Sequence, residues 1–103
     1  MQETAILVVI EVTSVKDPTG WRTYVQQASS LIGSLGGKVI AQGGTEINGE
    51  AGFAPLVIQY WPSEATFRAW IDSEAYQPLN EIRLTSATMR VAMVPVSAGG
   101  LNF

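Results

Sequence analysis

The stretch Thr4 to Thr13 (TAILVVIEVT) constrains the fold more than any other part of the chain. Its length and its density of Val and Ile are typical of a β-strand. Alternate residues of a strand point to opposite faces of a sheet, and here both sets are apolar over most of their length. One set is Ile6, Val8, Ile10 and Val12, and the other is Ala5, Leu7, Val9 and Glu11. At roughly 25 cal/mol per Å² of apolar area, leaving three such side chains in water forfeits several kcal/mol, so both faces need a cover.

The stretch Thr88 to Val96 (TMRVAMVPV) repeats this pattern near the other end of the chain. Met89, Val91 and Met93 fall on one side, and Ala92, Val94 and Val96 fall on the other. A sheet with two apolar faces predicts helices on one face and a second copy of the chain on the other. We therefore expect a homodimer that associates sheet against sheet.

Two helices are indicated between these strands. The first begins at Asp17-Pro18, an N-cap followed by Pro at the first helical position, and ends at Gly36-Gly37. Between them one apolar stripe recurs at spacings of three and four residues: Trp21, Tyr24, Val25, Ala28, Leu31, Ile32 and Leu35. The second helix starts after Ser63, and a further helical piece is expected from about Ala75 to Thr85, interrupted near Pro78.

Two more strands, from Lys38 to about Glu46 and from Pro55 to Trp61, flank an Asn48-Gly49 turn signal. The resulting order of strand, helix, hairpin, helix and strand is that of the ferredoxin-like β-α-β-β-α-β fold. This is an α+β fold in which both helices cover one face of a four-stranded antiparallel sheet. We expect a single domain over residues 1–103, with residues 97–103 as a flexible tail.

The composition excludes several classes of mechanism. The 103 residues include no cysteine and no histidine, which removes thiolate nucleophiles, Ser-His triads and the usual ligands of zinc and haem. The carboxylates do not cluster at a convincing metal-binding spacing, so we expect neither a metal nor a cofactor. Six dispersed basic residues and a net charge of −3 argue against a nucleic-acid partner. The apolar run from Ala5 to Ile10 is too short to span a bilayer, so we expect no membrane association and a cytoplasmic location.

The run Trp61 to Arg83 (WPSEATFRAWIDSEAYQPLNEIR), with Tyr24, Gly36-Gly37 and Gln42-Gly43-Gly44, resembles the domain-of-unknown-function family 1330. The resemblance covers about four-fifths of the chain. It implies a dimeric α/β barrel, in which two ferredoxin-like sheets face each other around enclosed cavities. Similar dimeric-barrel families include cofactor-independent monooxygenases, muconolactone isomerases, polyketide cyclases and haem-degrading enzymes.

This chain departs from the family pattern at three positions that the resemblance places on the cavity wall. Val9 stands where members often carry an acidic residue, Gln42 where they carry Arg, and Tyr60 where they carry Glu. All three changes remove charge. The sequence therefore predicts an apolar, aromatic pocket for a hydrophobic small molecule.

Three residues are candidates for catalysis. If Val9 lines the cavity, alternation places Glu11 there too, where desolvation would raise its pKa and make it a general base. The competing interpretation is a solvated strand end at which Glu11 pairs with a Lys or Arg. Tyr60 is a candidate to orient a carbonyl or phenol, and Gln42 to donate to a ligand oxygen.

Further residues are candidates for ligand binding. Leu7, Val9 and Ile58 follow from the same strand alternation, and Met93 from the adaptable apolar wall that alternate methionines can form. For Met93, packing in the core or at the dimer interface is the favoured interpretation. Tyr76 belongs to the motif that carries the resemblance, although an anchoring role is favoured. Arg83 and Arg90 are candidates to hold a carboxylate or enolate, and ion pairs with Glu81, Glu74 or Asp72 are the competing interpretation.

Three functions remain open from the sequence. The first is a cofactor-independent isomerase, cyclase or monooxygenase acting on a hydrophobic, oxygenated molecule. The second is a non-catalytic carrier or sensor of an apolar metabolite. The third is a structural dimer without a ligand.

Overall fold

The structure is a computed structural model that describes residues 4–49 and 54–96. Along the chain it contains β1 (Ile6–Val15), α1 (Pro18–Ser34), β2 (Lys38–Gly43), β3 (Leu56–Trp61), α2 (Glu64–Ile71), α3 (Gln77–Ser86) and β4 (Ala87–Pro95). This order confirms the predicted ferredoxin-like fold, with the second helical segment divided into α2 and α3. The predicted flexible tail, residues 97–103, lies outside the described residues.

The four strands form one antiparallel sheet in the order β2-β3-β1-β4. Strand β1 is central, and its Val8 lies opposite Gln59 of β3 and Met93 of β4. The side chains of Ile6 and Val8 are buried beneath the helices, so the first of the two apolar sets of β1 forms the core. The other set lies on the face that carries no helix, which is called the open face below.

The ends of the helices follow the predicted capping residues. The Asp17 carboxylate accepts a hydrogen bond from the backbone N–H of Gly20 at 3.1 Å, and the Ser63 hydroxyl accepts one from Thr66 at 3.1 Å. After α1 the chain turns at Gly36, whose φ of +91° lies in the region that favours glycine. The predicted interruption near Pro78 is wrong. Pro78 lies in the first turn of α3, where a missing N–H removes no helical hydrogen bond.

The core lies between the sheet and the helices, and Trp61 at the end of β3 is its largest fully buried side chain. Its indole N–H donates to the Gln59 side-chain oxygen at 2.9 Å, so the polar atom of the ring is satisfied inside the core. The other members of the cluster come from β1, the three helices and the residue before α3: Ile6, Val8, Ala28, Ile32, Trp70, Tyr76 and Leu79. Within the described residues, no helix is both long and apolar enough to cross a membrane.

Gly37 lets the chain pass close to this tryptophan. A Cβ atom at Gly37 would lie 2.8 Å from Cε2 of Trp61 and 2.8 Å from Cγ2 of Ile32. Both neighbours are themselves buried, so neither can move aside easily. Gly33, four residues earlier on α1, faces open space instead.

Alanine substitutions at these two glycines should change the stability of the protein in opposite directions. Gly37→Ala should lower the free energy of unfolding by about 1–3 kcal/mol, because the added methyl group overpacks the core. Gly33→Ala should raise it by about 0.5–1 kcal/mol, because alanine loses less backbone freedom in a helix. Urea unfolding followed by circular dichroism measures both. A Gly37→Ala protein as stable as the parent would contradict the close approach of Trp61.

Candidate functional site

Two adjoining cavities lie on the helix-covered side of the sheet. The first, about 350 Å³, lies between α1 and the sheet, and exposed Arg22 and Ser29 of α1 are among its lining residues. The second, also about 350 Å³, lies under α2 and α3, where Phe67, Trp70 and Arg83 line it. The two share the lining residues Ile10, Tyr24, Gln59 and Met89. They are treated below as one site, the helix-side cavity.

Aromatic rings form much of the wall of this cavity. The rings of Trp21 and Tyr24 are stacked with their centroids 5.4 Å apart, and Trp70 packs on Tyr76 at 4.7 Å. Tyr24 and Tyr76 meet edge to face at 6.5 Å. Trp70 and Tyr76 are only 3% and 8% exposed, so it is the half-buried rings of Trp21 and Tyr24 that offer flat surface to an apolar or aromatic ligand.

The hydroxyl groups of Tyr24 and Tyr76 lie 3.2 Å apart and share a hydrogen bond. Burial raises the pKa of Tyr24, and the hydrogen bond to Tyr76 raises it further, while the nearby charge of Arg83 acts in the opposite direction. Tyr24 is therefore neutral at physiological pH. One of the two hydroxyl protons is used within the pair, and the other is available to a ligand oxygen.

Gln59 supplies a second polar group from the floor of the cavity. It is only 8% exposed and lies in the middle of β3, with its side chain on the helix-covered side. Because its oxygen accepts from the indole of Trp61, its amide N–H groups are the part left for other partners.

Arg83 is the half-buried cation of the helix-side cavity, whereas Arg22 lines it from the exposed side of α1. Its half-buried guanidinium donates from Nε at 3.0 Å and from Nη2 at 2.7 Å to Oδ1 of Asn80, one turn earlier on α3. Within residues 4–49 and 54–96, no carboxylate lies within 4.0 Å of it. The predicted ion pairs of Arg83 with Glu81, Glu74 or Asp72 are therefore wrong.

Glu11 lies on the open face, opposite Arg90 of β4. Nε of Arg90 donates to the Glu11 carboxylate at 2.6 Å and Nη2 donates to the same oxygen, while the backbone N–H of Ala54 lies 3.4 Å from the other. The hydrogen bond from Arg90 is the main reason that the pKa of Glu11 is lowered. The predicted rise in the pKa of Glu11 is wrong, because a guanidinium stabilises the ionised carboxylate.

The three catalytic candidates do not come together in one chain. Tyr60 lies on the open face opposite Leu7, with Nζ of Lys38 5.5 Å from the centre of its ring. Gln42 on β2 lies opposite Val57, and both line the helix-side cavity. Glu11 and Tyr60 thus share the open face, whereas Gln42 contributes to the cavity on the other side. The catalytic role of all three stays a prediction.

The ligand-binding candidates divide between the same two faces. Leu7, Val9, Ile58 and Arg90 lie on the open face. Tyr76 and Arg83 line the helix-side cavity. Met93 lies opposite Val8 and packs against the buried core. The sequence prediction placed one pocket on the open face, whereas the cavity with the most aromatic and polar lining is on the other.

Sequence reasoning missed Tyr24, Gln59 and Asn80 as site residues. Tyr24 belongs to the apolar stripe of α1, and its pattern does not separate a core residue from a cavity residue. Gln59 did carry a signal, because it is a polar residue flanked at i−2 and i+2 by Val57 and Trp61 on the inward side of a strand. Asn80 becomes informative only when Arg83 is seen one turn away on the same helix.

The described part of the chain contains no group of three or more His, Cys, Asp or Glu residues that could hold a metal ion. The polar groups of the helix-side cavity are hydroxyl, amide and guanidinium groups. They can donate hydrogen bonds, orient a ligand oxygen and stabilise a negative charge.

The fold has counterparts among solved structures. Over 97% of this chain and 86% of the other, it matches RPA0582, a protein of unknown function from Rhodopseudomonas palustris, with a TM-score of 0.78 and 21% identity. It also matches SnoaB, a cofactor-independent oxygenase from Streptomyces nogalater, over 99% of this chain and 100% of the other, with a TM-score of 0.60 and 11% identity. At these identities the similarity shows the shared fold.

No match was found among curated proteins. The family comparison is decisive, because the model of one family matches residues 5–97, which is nearly the whole chain and includes every strand and helix described above. The resemblance drawn from the motif between Trp61 and Arg83 is thereby confirmed. The chain belongs to the family described as Domain of unknown function (DUF1330).

Proposed function

We propose that this protein is a cofactor-independent enzyme that acts on a hydrophobic, oxygenated small molecule held in the helix-side cavity. The observation that carries the proposal is the cavity itself, about 350 Å³ in each of its two parts. Ligand sites are typically spaces of this size, with apolar and aromatic walls around a few polar groups. Tyr24, Tyr76, Gln59 and Arg83 are among the polar groups here.

The chemistry of these groups supports a reaction of the isomerase, cyclase or monooxygenase type. Such reactions begin from an enol or phenol whose negative charge develops on oxygen. A cavity that fixes that oxygen and excludes water accelerates the reaction by orientation and charge stabilisation. The shared fold with the oxygenase SnoaB supports this class, although it names no substrate for this chain.

A binding module remains the second candidate function, and one observation favours it. The residues that line the cavity include no His, Cys, Asp or Glu, and the pKa of Tyr24 is raised. The cavity wall therefore offers no group that would accept a proton near neutral pH. A carrier or sensor needs no such group, and an enzyme built this way needs a substrate that ionises easily.

A bulky residue at the mouth of the cavity tests whether ligands enter there. Ser29 is exposed on α1 and lines the cavity, so Ser29→Trp should obstruct it and weaken binding of the neutral probe para-nitroanisole by about tenfold or more. Equilibrium dialysis measures the affinity.

Ser30→Trp is the matched control, because Ser30 is exposed on the same helix but does not line the cavity. It should bind the probe like the parent protein. Equal affinities for both variants would show that the probe does not use this cavity.

Substitutions of two tyrosines test whether the reaction takes place in the helix-side cavity or at the predicted site on the open face. Native mass spectrometry of the freshly purified protein would first identify a co-purified compound, which then serves as ligand and substrate. Tyr24→Phe should slow its conversion by about 10- to 100-fold, because a hydrogen bond to the developing oxyanion is lost. Tyr60→Phe should have little effect. The reverse result would place the reaction on the open face, with Tyr60 and its neighbour Glu11.

We also propose that two copies of the chain associate through their open faces. Leu7, Val9 and Ile58 lie there side by side, and Val94 of β4 is 44% exposed in the single chain. Covering these side chains with the same face of a second copy removes apolar area from water. The ligand-binding roles predicted for Leu7, Val9, Ile58 and Arg90 depend on this association.

A single charge in the centre of the open face tests the dimer. Ile58→Glu should convert a particle of twice the chain mass into a monomer, because burying an unpaired carboxylate costs several kcal/mol. Ile47→Glu introduces the same charge at a position that is 91% exposed in a loop and should leave the mass unchanged. Light scattering at micromolar concentration measures both. A parent protein that is already monomeric would contradict the proposed association.

A further inference from the structure

Two arginines line the helix-side cavity, of which Arg22 on α1 is exposed and Arg83 on α3 is half-buried. Arg90 on the open face is bound by the Glu11 carboxylate, and Arg68 on the surface of α2 pairs with Glu64 at 2.6 Å. The guanidinium of Arg83 instead donates its two hydrogen bonds to the neutral oxygen of Asn80. Its positive charge is therefore held in place without being compensated by a carboxylate of residues 4–49 or 54–96.

The contact with Asn80 also leaves donors free. Nε and one N–H of Nη2 point at Asn80, so the two N–H groups of Nη1 and the second one of Nη2 remain for another acceptor. Arg83 lines the helix-side cavity together with Trp70, Tyr76 and Tyr24. An acceptor placed there would meet a fixed cation, the free proton of the tyrosine pair and aromatic surfaces.

We propose that this end of the cavity is a subsite for an aromatic oxyanion, meaning the ionised form of an acidic phenol or of an enol conjugated with an aromatic ring. The inference rests on the proposed function, since it specifies which oxygenated molecule the cavity takes. A charge delocalised over a ring loses less hydration free energy on burial than the compact charge of a carboxylate. The ring can also pack against Tyr24 and Phe67, which are only partly buried and line the same part of the cavity.

The surroundings leave the subsite positively charged. Of the residues lining this part of the cavity, Tyr24 on α1, Tyr76 before α3 and Arg83 on α3 are the titratable ones, and those from α2 and the sheet are uncharged. The two tyrosines share one hydrogen bond, which a neutral hydroxyl pair makes most readily. A bound phenol is then the group whose ionisation Arg83 favours.

The subsite also explains how a cavity without a proton-accepting side chain can promote a reaction of an enol or phenol. An acidic phenol loses its proton to water, and the protein binds the anion that remains. Arg83 then acts by selecting and orienting the ionised form, with the negative charge on the oxygen next to Nη1. No proton acceptor on the protein is required for this step.

The test uses para-nitrophenol, whose ionised form is coloured and which titrates near neutral pH. In the presence of saturating parent protein, its pKa should fall by about one unit or more, equivalent to about tenfold tighter binding of the anion. Arg83→Met should abolish this shift. Arg68→Met, which removes the same charge from the exposed surface of α2, should keep it.

Asn80→Asp provides a second variant that retains the arginine and the shape of the side chain. The new carboxylate would neutralise Arg83 in place, so the shift should be lost as fully as with Arg83→Met. If Arg83→Met does not fold, as judged by circular dichroism, Asn80→Asp decides the question alone.

Binding of the neutral ether para-nitroanisole tests whether the cavity takes a ligand, independently of whether it prefers an anion. We expect it to bind the parent, Arg83→Met and Asn80→Asp proteins with similar affinity. Binding of the ether with no pKa shift of the phenol in the parent protein would overturn the oxyanion subsite and leave the cavity as a ligand site. Failure of both compounds to bind would overturn the subsite together with the proposed function.

Discussion

The pairing of β1 with β3 on one side and with β4 on the other decides which side chains of this protein can meet. It places Val8 between Gln59 and Met93 beneath the helices, and Leu7 between Tyr60 and Val94 on the open face. A shift of one residue in either pairing would exchange the faces of a whole strand. The core would then lose Trp61, and the cavity would lose the amide of Gln59. The hydrogen-bonded register is thus the condition for both the packing and the site.

The polar side chains of the helix-side cavity hold one another in place. Gln59 is fixed by the indole of Trp61, and Arg83 is fixed by Asn80. An unsatisfied polar group in such a place costs about 1–3 kcal/mol, so these contacts also protect the stability of the fold. Each contact uses part of the hydrogen-bonding capacity of its group and leaves the rest directed at the cavity. A ligand therefore meets donors whose positions are set before it arrives, which reduces the entropy lost on binding.

The sequence predicted the fold well because its signals are local and mutually consistent. The caps at Asp17 and Ser63 and the alternation in β1 each point to one element, and their order admits few topologies. The site was harder to predict. Alternation identified correctly which side chains of β1 share a face, but it does not say which face borders a cavity. The apolar open face suggested a pocket enclosed by two copies, whereas the single chain has its aromatic cavity between the sheet and the helices.

Contacts between residues distant in sequence were the part that local patterns could not supply. The sequence left Glu11 open between a general base and the partner of a Lys or Arg, and Arg90 is brought beside it only by the pairing of β1 with β4. Tyr24 looked like an ordinary core residue of a helix, because the stripe that contains it is apolar throughout. Its partner Tyr76 is 52 residues away, and the hydroxyl contact exists only after α1 packs near α3.

The helix-side cavity is open to solvent, because exposed Arg22 and Ser29 of α1 are among its lining residues. Water therefore occupies it when no ligand is bound. Water would bind well at Arg83 and at the amide of Gln59, but poorly against Trp21, Trp70 and Ile10. A molecule with a large apolar body and one oxygen matches both kinds of surface, because it releases the poorly bound water and replaces the well-bound water with its own acceptor.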